Sequence, residues 1–436
     1  MNFTEESVKQ LAPEDASAKA GMQLAVTAKW DNAYHHEKAL WGECKGSGKN
    51  PYFTQVDLTN IAFKCSCPSR KFPCKHGLGL LFLYVKQRAY FKESNSLHEK
   101  VSEWLDKRHA RTETKTQKEE KPIDEKAQKK RAGQREDKVN QGVEKLDTWM
   151  KDVIRTGIQN IPQNQYSAFK NITSAMVDAQ APGLAGMLRG LEEINFFEEN
   201  WEHNFMRQFS KIYFVLQAYQ NSTSLSPQWQ QELRSQIGWN TTKEELNELA
   251  PINDIWNILY IEKTAFDKLI AEKIWLYGQK TGEFYYQLQF YTPQQAFSTP
   301  MLVTGNSIEA AVVPYPAIGG HRVHIKDFVP HKGSFTLPGN ATLFENVLTH
   351  VSTAKAANPL QDEFPFILHT ATLALHNRQW YLTDHEQKSL PVIQQEKTLF
   401  KIWALTRSQP FNAFGIYVNG KFNILSLLYQ NHYYTL

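Results

Sequence analysis

The chain has 436 residues, of which 41% are hydrophobic and 12% aromatic, and its formal net charge is +4 at pH 7. This length predicts two to three domains rather than one hydrophobic core, and the composition excludes collagen-like and wholly disordered proteins. The first residues show no signal-peptide pattern. The longest apolar run, from Leu78 to Val85, is far shorter than the roughly 20 residues that span a bilayer. We therefore expect a soluble, cytoplasmic protein.

Residues 1–106 are predicted to form the first domain. A glycine-containing loop precedes an extended segment at 53–65, which is typical of a hairpin with its turn at Leu58–Asn60. The apolar stretch that follows His76 has the length of a packed helix. A second helix is predicted within 94–108, where apolar residues recur at four-residue spacing.

Three of the four cysteines and one histidine lie within twelve positions, in the spacing Cys65-x-Cys67-x6-Cys74-x-His76. Three thiolates and one imidazole are a complete ligand set for tetrahedral structural zinc. Pro68 ends the strand after the second cysteine, and the last two ligands fall at the first turn of the predicted helix, whose dipole favours a thiolate. The spacing predicts a zinc site. Because metal binding then supplies folding energy, substitution of Cys74 is expected to unfold this domain.

Other interpretations of the cysteine cluster fit the residues less well. A thioredoxin-type redox pair needs Cys-x-x-Cys, which is absent here, and a catalytic Cys–His pair needs one activated thiol rather than three. A chance cluster of buried thiols is disfavoured because the segment is interleaved with four cations, Lys64, Arg70, Lys71 and Lys75. The fourth cysteine, Cys44, is expected to be an ordinary buried or partly exposed thiol.

The ligand pattern, set between a predicted strand and a predicted helix, resembles the SWIM zinc finger, which is a ββα module. Residues 41–90 resemble the bacterial SWIM-domain proteins in particular, and residues 176–191 resemble the helical region of that family. The resemblance implies zinc binding and a role in DNA or protein interaction. It also implies an operonic association with AAA-type ATPases and von Willebrand-type proteins. The zinc ligands that it implies are Cys65, Cys67, Cys74 and His76.

The cations around the finger leave the class of partner open. Residues 64–76 hold no acid, so their four cations exceed the net −1 charge of a zinc centre with three thiolates by about three charges. One cation can neutralise the thiolates, and the others can lie along a phosphate backbone. Only Phe63 and Phe72 are aromatic there, so base stacking is unsupported. DNA, a protein partner and structural support of the first domain all stay open. The candidate contact residues are Lys64, Arg70, Lys71 and Lys75.

Three further segments follow. Residues 107–143 are charged and almost devoid of large apolar side chains, which predicts a linker or an exposed helix. Residues 144–273 show helical apolar spacing, and residues 274–436 alternate as strands do, with a hairpin turn at Asn419-Gly420. The predicted fold class is α+β multidomain, with an N-terminal ββα SWIM-type zinc finger, a helical middle domain and a β-rich C-terminal domain.

No enzyme motif is found in the sequence, whether a nucleophile elbow, a phosphate loop, a dinucleotide fingerprint or a His-Glu-x-x-His helix. The best second metal candidate is His321-x-x-His324, with His331 beyond it. Strand residues three apart point to opposite faces, which favours ordinary histidines. We expect a non-catalytic zinc-binding interaction protein. The alternatives are a protein-only scaffold or adaptor for an AAA-type ATPase system and a metal-dependent enzyme that uses these histidines.

Overall fold

The computed structural model describes residues 3–46, 50–59, 61–69, 71–117, 125–162, 165–266, 269–292, 302–333, 335, 337 and 344–436. The chain divides into two compact units. The first comprises Met1–Glu119, Ala250–Pro314 and His321–Leu436, and the second comprises Glu120–Leu249 and Tyr315–Gly320. None of the helices within the described residues combines the length and apolarity needed to cross a bilayer.

The N-terminal part of the first unit is a five-stranded sheet that packs against helices. Its elements are α1 (Glu5–Gln10), α2 (Asp15–Leu24), β1 (Trp30–His36), β2 (Ala39–Cys44), β3 (Tyr52–Asp57), β4 (Ala62–Cys65), α3 (Lys75–Lys86), β5 (Lys92–Glu93) and α4 (Glu99–Gln117). The strand order is β4-β3-β2-β1-β5. β3 and β4 pair antiparallel, which confirms the predicted hairpin, although Asn60 of its turn lies outside the described residues.

The helix α3 occupies the centre of this core. Gly79 permits its close approach to α2, because a Cβ at this position would lie 2.9 Å from Leu24 Cβ. The shared cluster also holds Trp30 and Leu40. The predicted packed helix is therefore confirmed, and its burial fixes the end of the finger that carries two of the candidate ligands. Its fully buried side chains are Leu78, Leu80, Leu81, Phe82 and Leu83.

The second unit is helical. Its elements are α5 (Glu125–Thr156), α6 (Gln165–Asp178), α7 (Pro182–Glu192), α8 (Trp201–Gln220), α9 (Pro227–Ile237) and α10 (Lys243–Glu248). Pro182 and Pro227 stand at the first helical positions, where the missing N–H leaves no unmet hydrogen bond. Within the predicted linker or exposed helix at 107–143, the described residues belong to α4 and α5, and residues 118–124 lie outside the described part.

The predicted helical segment ended at residue 273, but strands begin earlier. The structure places β6 at Ile252–Phe266 and β7 at Leu269–Gly278. Trp256 and Ile258 of β6 pack into one core, whereas Leu259 packs into another. Because both faces of β6 are buried there, its apolar run lacks the alternation that marks a half-buried strand. The helical assignment of these residues is wrong.

The strands β6 and β7 belong to a five-stranded sheet. It is completed by β8 (Phe284–Tyr291), β9 (Ser307–Pro314) and β10 (Val323–Pro330), in the order β10-β9-β6-β7-β8. A parallel bridge between Tyr286 and Arg322 brings β8 next to the start of β10, and Gln287 accepts a hydrogen bond of 2.9 Å from the Ile325 amide. The sheet is therefore a partly open five-stranded barrel.

The C-terminal part of the first unit is a six-stranded antiparallel sheet with two helices. Its elements are α11 (Phe344–Ala357), β11 (Phe364–His376), β12 (Gln379–Thr383), β13 (Ser389–Pro391), α12 (Glu396–Thr406), β14 (Phe411–Val418), β15 (Lys421–Tyr429) and β16 (His432–Thr435). Asn419 and Gly420 both have positive φ in the two-residue β14–β15 turn, so the predicted hairpin is confirmed. With the finger and the helical unit, this gives the predicted α+β multidomain fold.

Candidate metal centre and the cavity beside it

The four candidate ligands come from three adjacent parts of the N-terminal sheet and helix. Cys65 ends β4, Cys67 lies two residues beyond it, Cys74 caps the N-terminus of α3, and His76 lies in the first turn of that helix. Their ligand atoms all lie within 4.8 Å of one another. In an ideal tetrahedral zinc site, sulfur atoms about 2.3 Å from the metal stand about 3.8 Å apart. The side chains therefore need only a small inward movement to share one ion.

The loop between the second and third ligands is held at both ends. After β4, Ser66 still pairs with β3, since its amide donates to the Phe53 carbonyl and its hydroxyl accepts from the Phe53 amide, both at 3.0 Å. Pro68 then turns the chain away. Further along, the Phe72 ring meets Phe63 edge-on at a centroid distance of 6.1 Å. These contacts hold the loop in place around Cys65 and Cys67, two cysteines separated by a single residue, whose ligand atoms lie in one cluster.

Neighbouring groups orient the ligands. The Thr54 hydroxyl lies 3.3 Å from Cys65 Sγ, and the Gly77 amide donates to Cys74 Sγ at 3.5 Å. The Tyr52 ring packs against the His76 ring at a centroid distance of 4.7 Å. Such outer contacts fix ligand orientation in metal sites.

Hydrogen bonding within the cluster favours the thiolate of Cys74 over those of the other two cysteines. A hydrogen bond from the Cys65 thiol lowers the pKa of Cys74 to about 4. The same hydrogen bond, together with burial, raises the pKa of Cys65, and burial raises the pKa of Cys67. A bound dication removes this conflict because it stabilises all three thiolates. The donor set and its packing thus fit zinc, and Cys65, Cys67, Cys74 and His76 are positioned to bind a zinc ion.

A cavity of about 750 Å³ opens beside the metal centre, and Cys67 and His76 form part of its wall. Two of the predicted contact residues, Lys71 and Lys75, also line it. Lys64 is exposed on β4 and does not line the cavity, and Arg70 lies outside the described residues. We call this space, with the four lysines that line it among the described residues, the basic cavity. Those lysines are Lys29, Lys45, Lys71 and Lys75.

The sequence did not indicate Lys29 and Lys45 as contact residues, because it is β-sheet pairing that brings them to the site. Trp30 pairs with Cys44 at the ends of β1 and β2, and the backbone amide of Lys45 donates to the carbonyl of Lys29 at 2.9 Å. No sequence-local pattern links these lysines to the finger. A predicted β1–β2 hairpin would have been the available signal.

The remaining sequence candidates lie elsewhere. Cys44 is fully buried in the N-terminal core, and burial raises its pKa to about 11, as expected of an inert thiol. His321 Nδ1 lies 2.8 Å from the Phe284 carbonyl, and His331 pairs with Glu309 at 2.7 Å. Among the described residues, three or more potential ligands lie close enough to hold a metal ion in the finger cluster. These histidines are not part of it.

Comparison with known families agrees with this geometry. Residues 52–84 match the family model of the SWIM zinc finger, and residues 134–237 match that of the SWIM-associated four-helix bundle domain. The first match runs from the start of β3 into α3 and includes all four ligands, and the second lies within the helical unit. The chain thus carries both domains, which confirms the resemblance. No curated protein matches the chain.

Proposed function

We propose that this chain, which carries a SWIM zinc finger and its associated helical domain, is a non-catalytic interaction protein that binds nucleic acid at the basic cavity. The supporting observation is that four lysines from separate segments line one cavity beside the zinc centre. Positive side chains that replace counterions on phosphates supply most of sequence-independent nucleic-acid affinity.

The charges of the basic cavity remain available to a ligand. Among the described residues of its wall, the acid is Glu14, which pairs with Lys71, while Lys45 pairs with Asp31 just outside at 3.1 Å. Both pairs are about half exposed, so each contributes little and can be exchanged for a phosphate. A zinc centre of net charge −1 offsets only one of the lysines.

The chemistry of the basic cavity supports binding rather than catalysis. The imidazole of His76 and the thiol of Cys67 in its wall are metal ligands, and the Glu14 carboxylate is paired with Lys71. A zinc ion held by four protein ligands has no open position at which to activate water. We therefore assign no reaction to this site.

The barrel is a less suitable place for nucleic acid. Five-stranded, partly open Greek-key barrels that bind oligonucleotides do so on the face of their second and third strands, which here are β7 and β8. On this face, Trp275 and Tyr286 share an apolar cluster with Ile367 and Phe414 of the C-terminal sheet. The Trp275 and Phe414 ring centroids are 6.1 Å apart. The stacking surface is therefore covered.

Fluorescence anisotropy with a labelled single-stranded oligonucleotide and the zinc-loaded full chain tests this function. If each of the four lysines meets a separate phosphate, the log–log salt slope is about −2.8 for a single strand, and fewer phosphates in the cavity make it proportionally shallower. Lys71→Glu combined with Lys75→Glu should at least halve that slope. The matched control is Lys38→Glu with Lys107→Glu, which makes the same charge change at exposed positions outside the cavity.

Three results would contradict the proposal. The first is that the wild-type chain does not bind the oligonucleotide at low salt. The second is that the control variant loses as much affinity as the cavity variant. The third is that the cavity variant binds as well as the wild type while its zinc content is unchanged. The first would favour a protein partner, including the AAA-type ATPase that the family resemblance implies, and a pull-down with the intact protein would then identify it. Because Lys75 adjoins two metal ligands, the zinc content of each variant is measured as well. It distinguishes a loss of binding caused by the removed lysines from a loss caused by release of the metal.

A further inference from the structure

We infer that the basic cavity receives the terminal phosphate of a single-stranded nucleic acid, rather than its internal phosphodiesters. This inference rests on the proposed function and narrows its ligand to a strand end. The observation behind it is a convergence of cations on a recess, in contrast to a row of cations along a surface.

The lysines reach the basic cavity from four different places. Lys29 directly precedes β1, Lys45 follows β2, Lys71 lies in the metal loop and Lys75 begins α3. An internal phosphodiester carries one negative charge, and successive phosphates lie apart along the strand, so a row of cations suits a backbone. Several cations around one recess suit a single group of higher charge.

A terminal phosphomonoester is such a group. It carries about −1.5 to −2 charges at pH 7 and offers three strong acceptor oxygens. Lys29 and Lys75 have no ion pair with any described residue, whereas the other two lysines have the exchangeable partners given above. With one lysine offset by the zinc centre, the remaining three, two of them in exchangeable ion pairs, can together balance one monoester.

Lys29 and Lys75 also act at the same place. Although they lie far apart in sequence, both lysines line the basic cavity. The two side chains therefore belong to the wall of one recess, where a single ligand can meet both.

The size of the basic cavity fits a nucleotide. Sites for small organic ligands typically have volumes of about 300–1,000 Å³, and the cavity falls in this range at about 750 Å³. It therefore has room for a terminal sugar and base as well as the phosphate. The half-buried Tyr52 in its wall supplies an aromatic ring at the metal end.

Three single-stranded oligonucleotides of one sequence separate these ligands. One carries a 5′-phosphate, one a 3′-phosphate, and one has hydroxyl groups at both ends, with an internal fluorophore in each. Charge-assisted hydrogen bonds contribute about 1.5–3 kcal/mol, so one phosphorylated probe should bind the zinc-loaded full chain about tenfold or more tightly than the hydroxyl probe. Whichever phosphorylated probe binds more tightly shows whether the cavity takes the 5′ or the 3′ end of the strand.

The variant for this test is Lys29→Glu with Lys45→Glu, since both positions are remote in sequence from the metal ligands. It should abolish the preference for a phosphorylated end, whereas the Lys38→Glu, Lys107→Glu control should keep it. If charge reversal disturbs folding or zinc content, Lys29→Gln with Lys45→Gln removes the same cations with less repulsion.

The outcomes distinguish this inference from the proposed function. Equal affinity for all three probes, weakened by the Lys29, Lys45 variant, overturns the terminal-phosphate inference and leaves nucleic-acid binding at the cavity intact. Absence of binding to every probe at low salt overturns the proposed function. An end preference that survives both the Glu and the Gln variants places the phosphate outside the cavity and also overturns the inference.

Discussion

Removal of zinc should open the metal loop while leaving α3 in its core. The perturbation is Cys74→Ser, or a chelator added to the wild-type chain. Cys74 both ligates the metal and caps α3, where it accepts the Gly77 amide at 3.5 Å. Its loss therefore acts first on the first turn of the helix and on the loop that ends there.

The structure limits how far this opening spreads. Five side chains of α3 are fully buried, and at about 1.5–3 kcal/mol each they contribute about 8–15 kcal/mol, an upper estimate because denatured chains already bury some surface. Structural zinc contributes a similar amount, about 10–16 kcal/mol. The apolar contribution is similar in size to that of the metal, so we expect the core to hold the helix when the metal is lost.

Hydrogen exchange read out by mass spectrometry or NMR measures this difference. The Ser66 and Gly77 amides, at the two sides of the metal loop, should exchange at least about 100-fold faster without zinc. A change of about 100-fold corresponds to a little less than 3 kcal/mol, which is only a part of the free energy that zinc contributes. The Leu81 and Leu83 amides should change by less than about tenfold. Cys44→Ser, outside the cluster, serves as the control that keeps its zinc.

Two results would refute this reasoning. Equal acceleration at Leu81 and Leu83 would show that zinc orders the whole domain, as the sequence alone suggested. Unchanged exchange at Ser66 and Gly77 would show that the four side chains do not share an ion.

Three further predictions concern single positions. Cys44 should resist alkylation in the native chain, because it is fully buried with a pKa of about 11. Mass spectrometry of the treated protein measures the modification, and rapid modification would contradict its placement. Gly79→Ala should lower the free energy of unfolding in denaturant by about 1–3 kcal/mol through its clash with α2, whereas Gly133→Ala, with open space around it, should raise it by about 1 kcal/mol. Burial lowers the pKa of His321, so its contribution to stability is present above about pH 6.5 and is lost as the pH falls through the folded-state pKa. His321→Asn should therefore flatten the loss of thermal stability on acidification, and an unchanged pH profile would count against this role.

The metal centre could be predicted from sequence because its parts are local. All four ligands lie within twelve positions, next to a strand and a helix whose patterns are clear. The β14–β15 hairpin was equally accessible, since Asn419-Gly420 adopts the positive φ that its turn requires. Where a few adjacent residues fix the geometry, the sequence is sufficient.

Other features depend on contacts between distant segments. The strand β6 was assigned to helix because Trp256 and Leu259 face different cores, so its apolar residues do not alternate. The pairing of β1 with β2 likewise decides where Lys29 and Lys45 lie. The positive charge of each lysine is evident from the sequence, but the pairing of the strands decides that the two lie close together.

Under the proposed function, zinc acts on the partner through the shape of the basic cavity. Cys67 and His76 belong both to the metal centre and to the cavity wall, and the loop that joins them carries Lys71. The ion needs no contact with the ligand, since it fixes the loop from which these groups project. The other wall, with Lys29 and Lys45, is part of the sheet and is held by β1–β2 pairing. Metal loss therefore releases one wall of the cavity and leaves the other in place, so it should weaken binding without removing the cations themselves.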